Sequence, residues 1–385
     1  MSKIKSLYLI LLLAAAPVCA QEGYKLGFID FGAHIQAGLF SNNHGARGAE
    51  GNGDLGLSPN PDFNVNQAWL WFGREAKTET NEFDCGFRFD AFYGVDAFYA
   101  VPFNSSYTRA GGGVKKYEDA NFMRGGRLGP GVYGLALPQL YAEISYYKWK
   151  LAAGRFFPLI GYEEVDAPRN DFYSKTFYTM LTVPSSGTGA MLEKSYGLFD
   201  FAAAAYYGLD SGFENLYKDY FFSGAANYNL SDNSYLYYAF IAGRYGGAIG
   251  RGKRLFAPED TFVYLHNLIF EFKPAGVLKL ATEVFYNHDD KSSSGTDSCY
   301  NIYGFNEYAV YDISEKFAAG LRAEWARHYD ENKNRYGLTA NVTYKPVKWF
   351  YVRPEARYSW GSVPVYNGGK DTSQFNFGLE ITAKF

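Results

Sequence analysis

The sequence predicts an all-β fold: a transmembrane antiparallel β-barrel of about 16 strands, with short periplasmic turns on one rim and long extracellular loops on the other. Three observations point there. The last dozen residues, Gln374 to Phe385, alternate strictly, with Phe375, Phe377, Leu379, Ile381, Ala383 and Phe385 on one face and Asn376, Gly378, Glu380, Thr382 and Lys384 on the other. Period two marks a strand between two environments, and a face this apolar on a strand that must close a sheet suits hydrocarbon better than water. Residues Met1 to Ala20 have the form of a cleavable secretory signal, with Lys3 and Lys5, an apolar run from Leu7 to Ala16, and the small-residue site Val18-Cys19-Ala20. Finally, 35 Tyr and 33 Phe in 385 residues supply the amphipathic rings that two bilayer interfaces require.

From Gly27 onward the chain divides into strand-length segments, each bounded by turn-forming residues. Expected strands are Gly27 to Phe40, Asn64 to Glu75, Phe83 to Tyr93, Gln139 to Tyr146, Trp149 to Phe157, Thr188 to Ser195, Phe199 to Leu209 and Tyr220 to Asn229. Eight more follow: Ser234 to Tyr245, Phe262 to Lys273, Val277 to His288, Tyr300 to Tyr311, Lys316 to Tyr329, Arg335 to Tyr344, Trp349 to Trp360 and Gln374 to Phe385. The connections alternate in length. Tyr147-Lys148, Tyr196 to Leu198, Pro274 to Gly276 and Pro346 to Lys348 are short turns, whereas Ser41 to Phe63, Gly94 to Pro138, Pro158 to Gly187 and Asp289 to Cys299 are long. An even count puts both ends on the periplasmic side and pairs the last strand with the first. The single barrel domain would span residues 21–385.

Alternation also sorts the two faces. On Trp349 to Trp360, the residues Arg353, Glu355 and Arg357 share one side, opposite Phe350, Val352, Ala356 and Tyr358. A Lys or Arg at the midplane of the lipid face costs about 2–4 kcal/mol, so charges in register face the lumen. The expected pore-lining residues are Asp84, Arg88, Asp90, Glu143, Lys279, Glu283, Arg322, Glu324, Arg353, Glu355, Arg357 and Glu380. Pro354 lacks a backbone donor and suggests a bulge. A barrel of about 16 strands leaves an aqueous channel rather than a filled core.

Other features exclude more than they select. No run of about 18 apolar residues follows the signal, so no helix spans a bilayer. The 37 Lys+Arg against 40 Asp+Glu form no basic stripe, and nucleic acid is not an expected partner. Cys19 follows Ala16-Pro17-Val18, a poor lipidation motif, and Cys85 and Cys299 lie on distant strands with no disulfide expected. Neither the cysteines nor the five His have metal-ligand spacing, so no metal and no cofactor is expected. Gly247 to Lys253 (GAIGRGK) fits the start of a phosphate-binding loop, but Arg254 stands where Ser or Thr is required.

The segments Asn66-Gln67-Ala68-Trp69-Leu70, Gly86-Phe87-Arg88-Phe89-Asp90, Leu137 to Glu143, Leu151 to Phe157 and Ile160 to Pro168 occur in an order that resembles the putative beta-barrel porin-2 (OmpL-like) family. The resemblance is densest from Asn66 to Gly189 and implies an outer-membrane porin, with no catalytic residues to transfer. It also draws attention to Pro158 to Gly187. Glu163, Glu164, Asp166 and Asp171 against Arg169 and Lys175 make this loop a candidate constriction folding into the pore, or equally an external lid.

The expected function is a water-filled outer-membrane channel for passive diffusion of small hydrophilic solutes or ions. A second class is a barrel enzyme with a rim site, for which His288-Asp289-Asp290 is the nearest cluster; a third is a structural or adhesin barrel with a blocked lumen. Expected partners are outer-membrane lipid, lipopolysaccharide, the barrel-assembly machinery acting through the strand ending in Phe385, and further copies in a homotrimer offered by fold-level analogy.

Overall fold

The computed structural model describes residues 24–45, 62–97, 106–108, 114–116, 133–210, 213, 219–245, 249–251, 254–257, 261–290, 300–328 and 332–385; the expected signal segment 1–20 and Cys299 lie outside them. Sixteen strands form one closed antiparallel sheet. They are β1 (Ile29–Asn42), β2 (Phe63–Arg74), β3 (Asp84–Gly94), β4 (Gly134–Tyr146), β5 (Trp149–Phe156), β6 (Gly187–Tyr196), β7 (Phe199–Leu209) and β8 (Tyr220–Ser231). The circuit continues through β9 (Ser234–Tyr245), β10 (Thr261–Phe272), β11 (Leu278–Asp289), β12 (Tyr300–Ser314), β13 (Phe317–His328), β14 (Lys333–Val347), β15 (Phe350–Gly361) and β16 (Ser373–Lys384).

Each strand pairs with its chain neighbours, and β16 pairs with β1 from His34↔Lys384 to Asn42↔Asn376, which closes the barrel. Phe385 continues that seam: its N–H donates to the Ala33 carbonyl at 2.7 Å and its own carbonyl accepts from Ala33 N–H at 3.0 Å. Burial alternates as the sequence pattern requires. On β16, Phe375 and Phe377 are each 45% exposed on the outer face, while Asn376 and Glu380 are buried inside. Tyr147 and Lys148 both take positive φ, at 48° and 62°, giving the two-residue hairpin that links β4 to β5.

Three local expectations are corrected. A short strand, Tyr24–Leu26, precedes β1 and folds back on Ile29 to Phe31, in a stretch the alternation pattern assigned partly to β1 itself. Strand β4 begins at Gly134 rather than Gln139. Pro138 reads as a breaker in sequence, yet the register shift between Asp90 and Phe92 on β3 falls opposite it and accommodates the missing donor. At Pro354 there is no bulge: Asn341↔Glu355 and Tyr344↔Val352 keep one register across it, and the shift lies between Tyr344 and Val347, at Pro346.

Ile249–Arg251 and Arg254–Ala257 form a small antiparallel hairpin, not the strand-to-helix turn of a phosphate-binding loop.

Candidate pore constriction

The long segment between β5 and β6, residues 157–186, folds into the barrel. Its own order is modest: a short 3₁₀ turn, Ala167–Arg169, and one helical turn, α1 (Phe177–Leu181), whose N-cap Thr176 accepts from Thr179 N–H at 3.2 Å. A segment with so little regular structure leaves most backbone N–H groups without partners, and in a water-poor interior each must find one. The barrel wall provides them. Glu283 on β11 accepts from Tyr162 N–H at 2.9 Å, and Glu324 on β13 from Phe177 N–H at 2.9 Å. Glu355 on β15 accepts from Tyr173 N–H at 2.8 Å and Ser174 N–H at 3.0 Å. Gln67 on β2 takes Ala167 N–H at 3.2 Å.

Wall cations grip the loop's acceptors in the same way. Arg322 donates to the Glu163 carboxylate at 2.7 Å, to the Ser174 carbonyl at 2.7 Å and to Ser174 Oγ at 3.0 Å, while its Nε reaches Glu324 at 3.1 Å. Arg357 pairs with Glu324 at 2.6 Å and donates to the Lys175 carbonyl at 3.2 Å. Lys279 pairs with Asp171.

Rings complete the dock. Tyr178 stacks on Phe285 at 4.1 Å between centroids, and the guanidinium groups of Arg322 and Arg357 lie over Phe172 and Phe177 at 4.8 and 4.7 Å. Tyr173 inserts toward the β1–β16 seam, where its hydroxyl donates to Asn66 Oδ1 at 2.9 Å. Glycine makes that approach feasible: a Cβ at Gly38 would sit 2.6 Å from the Tyr173 hydroxyl oxygen, and one at Gly378 would sit 3.0 Å from Tyr173 Cδ1.

These contacts alter the expected role of the wall charges. Glu283, Arg322, Glu324, Arg353, Glu355, Arg357 and Glu380 face inward, but all are buried and spent on the loop or on one another. Arg353 pairs with Glu380 at 2.9 Å, and Glu380 also accepts from Gln36 at 2.8 Å and Tyr351 at 3.0 Å. They brace the wall rather than line water. Asp84 sits at a strand end, paired with Arg74 at 2.7 Å and capping Lys77 N–H at 2.9 Å, so it belongs to the rim. Glu143 accepts from Ala76 N–H at 2.6 Å and pins the β2–β3 connection. Arg88 and Asp90 pair with each other on the inner face.

Between the loop and the remaining wall lies a cavity of about 700 Å³. Its charged border comes from Asp96, Glu163, Glu164, Arg169, Asp171, Lys175, Glu271 and Lys279, with tyrosines 141, 162, 235, 237 and 308 around them. Of the loop charges named from sequence, Glu163 is withdrawn into the Arg322 contact, and Asp166 approaches His34 at 3.6 Å and Arg169 at 3.2 Å. Burial pushes the Asp96 carboxyl up to about 6, although Asn66 and Gln67 donate to it. Burial likewise raises the Glu164 carboxyl and lowers the Lys175 ammonium.

Asp96 and Glu271 were missed in sequence, as were the neutral anchors Asn66, Gln67, Asn267 and Asn341. The inward polar positions of the strand alternation carried that signal for all but Asp96, which follows β3. The alternative rim cluster dissolves, since neighbouring residues on a strand point opposite ways: His288 is half-buried against Asn301 at 2.7 Å, and Asp289 is buried on the inner face. Cys85 is free and exposed.

A closed barrel with an infolded loop after its fifth strand is matched by sequence over residues 27–385, which fit the family described as putative beta-barrel porin-2, OmpL-like. The chain belongs to this porin family. No curated protein sequence matches it. Among solved structures, it is similar to an anion-selective porin from Comamonas acidovorans, at 9% identity and TM-score 0.60 over 93% of this chain and 99% of that one. It is also similar to Pseudomonas putida OprB in a high-pH structure, at 13% identity and TM-score 0.59 over 93% and 94% of the two chains. The trimer form of in-vitro folded OmpT, an outer-membrane protein of Vibrio cholerae, aligns at 10% identity and TM-score 0.58 over 95% and 100%. This porin is therefore an outer-membrane channel for solute diffusion.

Proposed function

We propose that residues 157–186 form the constriction of this porin, and that solutes pass between the loop and the wall facing the 700 Å³ cavity. The observation that carries this is the anchoring of the loop's backbone N–H groups by wall carboxylates Glu283, Glu324 and Glu355, which holds it across the lumen in one place. Selectivity then rests with Asp96, Glu164, Arg169, Asp171, Lys175, Glu271 and Lys279 on the cavity border, not with the buried wall arginines. Acids and bases are nearly balanced there, and Lys279–Asp171 and Arg169–Glu164 are paired, so small hydrophilic solutes and ions pass with slight charge preference.

Transport is by diffusion without catalysis, in keeping with the opposed directions of His288 and Asp289. Export through residues 1–20, assembly through the strand ending in Phe385, contact of the loops with lipopolysaccharide, and a homotrimeric state complete the reading. Single-channel conductance of a variant lacking Glu163 to Lys175 tests it: the current rises if this segment is the constriction, and an unchanged current removes the idea. Liposome swelling with sugars of graded size separates an open channel from a blocked structural barrel.

A further inference from the structure

Two half-buried charges of opposite sign border the cavity without pairing. Asp96, just past the end of β3, and Lys175, just before α1, both line the 700 Å³ space, yet among the described residues neither has an ion-pair partner within 4.0 Å. The other border charges are matched. Glu163 is held by Arg322 at 2.7 Å, Glu164 by Arg169 at 3.3 Å and Glu271 by Lys273 at 2.9 Å, and Asp171 pairs with Lys279.

Both unmatched groups have bonding capacity to spare. Lys175 donates to the Glu164 carbonyl at 2.6 Å, one bond from an ammonium that can make three. Each Asp96 oxygen accepts one amide, from Asn66 at 3.0 Å and from Gln67 at 2.9 Å, and keeps a second acceptor site. The two groups feel each other's charge, but burial outweighs that attraction at both: it pushes the Asp96 carboxyl up to about 6 and lowers the Lys175 ammonium. A partly desolvated cation and anion held apart are both stabilised by a ligand that brings the opposite charge to each.

The lining beside them is apolar. Phe157 and Val165 border the same cavity and pack against a buried cluster that includes Ala97, the residue after Asp96. Leu159, Met180, Val183 and Met191 extend this surface. A mostly apolar space of about 300–1,000 Å³, with a few polar groups that fix orientation, is the usual form of a small-molecule site. We propose that the cavity binds free α-amino acids with apolar side chains, the α-carboxylate on Lys175, the α-ammonium on Asp96 and the side chain against Phe157 and Val165. A sugar offers no charge to either group, and a simple ion satisfies one while leaving the other bare. The proposal rests on the constriction reading, since the site borders the proposed passage.

Calorimetric titration of the folded full chain in detergent at neutral pH tests it with matched probes: L-leucine, 4-methylpentanoate, which lacks the ammonium, and 3-methylbutylamine, which lacks the carboxylate. Leucine should bind about tenfold or more tighter than either fragment, and by a similar factor tighter than glycine, which lacks the apolar body. In Lys175→Met, leucine should fall to the level of 3-methylbutylamine, and in Asp96→Asn to the level of 4-methylpentanoate, without weakening that fragment in either case. An undocked loop would instead weaken every probe alike. Equal affinity for leucine and its fragments or glycine, unchanged leucine binding in either variant, or loss of all probes together overturns the proposal. Calorimetry reads occupancy without current, so leucine binding to the intact chain, alongside unchanged conductance when Glu163 to Lys175 are deleted, would sink the constriction and leave the site standing.

Discussion

Arg322→Met removes the cation at the centre of the dock while keeping an unbranched apolar stem. In the structure this guanidinium is fully buried and serves two carboxylates, Glu163 and Glu324, along with the Ser174 carbonyl and hydroxyl. Arg357 still neutralises Glu324, but Glu163 and the Ser174 carbonyl lose their wall partner. Removing one member of a buried ion pair costs about 3–5 kcal/mol, because the other is left charged and dry. Converted at about 1.4 kcal/mol per decade, that shifts the docked-to-released ratio of the loop by roughly two to nearly four orders of magnitude. The barrel itself should survive, since its sheet hydrogen bonds are untouched. Planar-bilayer recordings should therefore show larger unitary currents with frequent step changes, and trypsin added from the loop side should newly cleave at Arg169 or Lys175. Wild-type conductance and noise, together with unchanged protease resistance in a heat-modifiable folded barrel, would refute the proposed anchoring.

Three further outcomes are expected. Glu355→Gln keeps the shape but removes the charge that accepts from Tyr173 and Ser174 N–H; at about 1–2 kcal/mol it should give flickering currents milder than those of Arg322→Met. Gly378→Ala drives a methyl group against Phe40 at 2.5 Å and Tyr173 at 3.0 Å, and should raise conductance or lower the temperature of barrel unfolding, read by heat-modified gel mobility. The Asp96 carboxyl lies above its ordinary 3.8, at about 6, so its stabilising effect is full below the ordinary value and is lost as pH rises through about 6, where it gains charge. Reversal potentials in a salt gradient should shift toward cations between about pH 5 and pH 7, and Asp96→Asn should flatten that shift.

The barrel was legible because lipid imposes a simple rule on each strand. Strict alternation in Gln374 to Phe385, and charges in register on Trp349 to Trp360, placed all sixteen strands to within a few residues at most ends. Misplacements cluster at prolines, where a missing donor has more than one local remedy: Pro138 sits in a bulge of its own strand, where Leu137 and Pro138 oppose the single residue Ala91, whereas Pro354 needs none. The inward direction of Arg322, Glu324, Arg353 and Glu355 was equally legible. Their burial was not, because it depends on a loop far away in sequence. A charge facing the lumen looks the same in sequence whether it meets water or a peptide N–H. Gly38 and Gly378 carried the missing information, as small residues on the inner face where a large ring had to enter, but nothing in their own strands identified Tyr173 as that ring.

The main-chain part of the hold on the loop is indifferent to the identity of its residues. Glu283, Glu324 and Glu355 grasp main-chain N–H groups, which every residue but proline offers. The wall therefore works as a generic socket, and the segment as an exchangeable insert. Side chains such as Glu164, Arg169 and Lys175 can be replaced without undoing the main-chain anchors. A barrel of this design can change what it admits by rewriting a handful of loop positions, leaving the sixteen strands and their membrane contacts as they are.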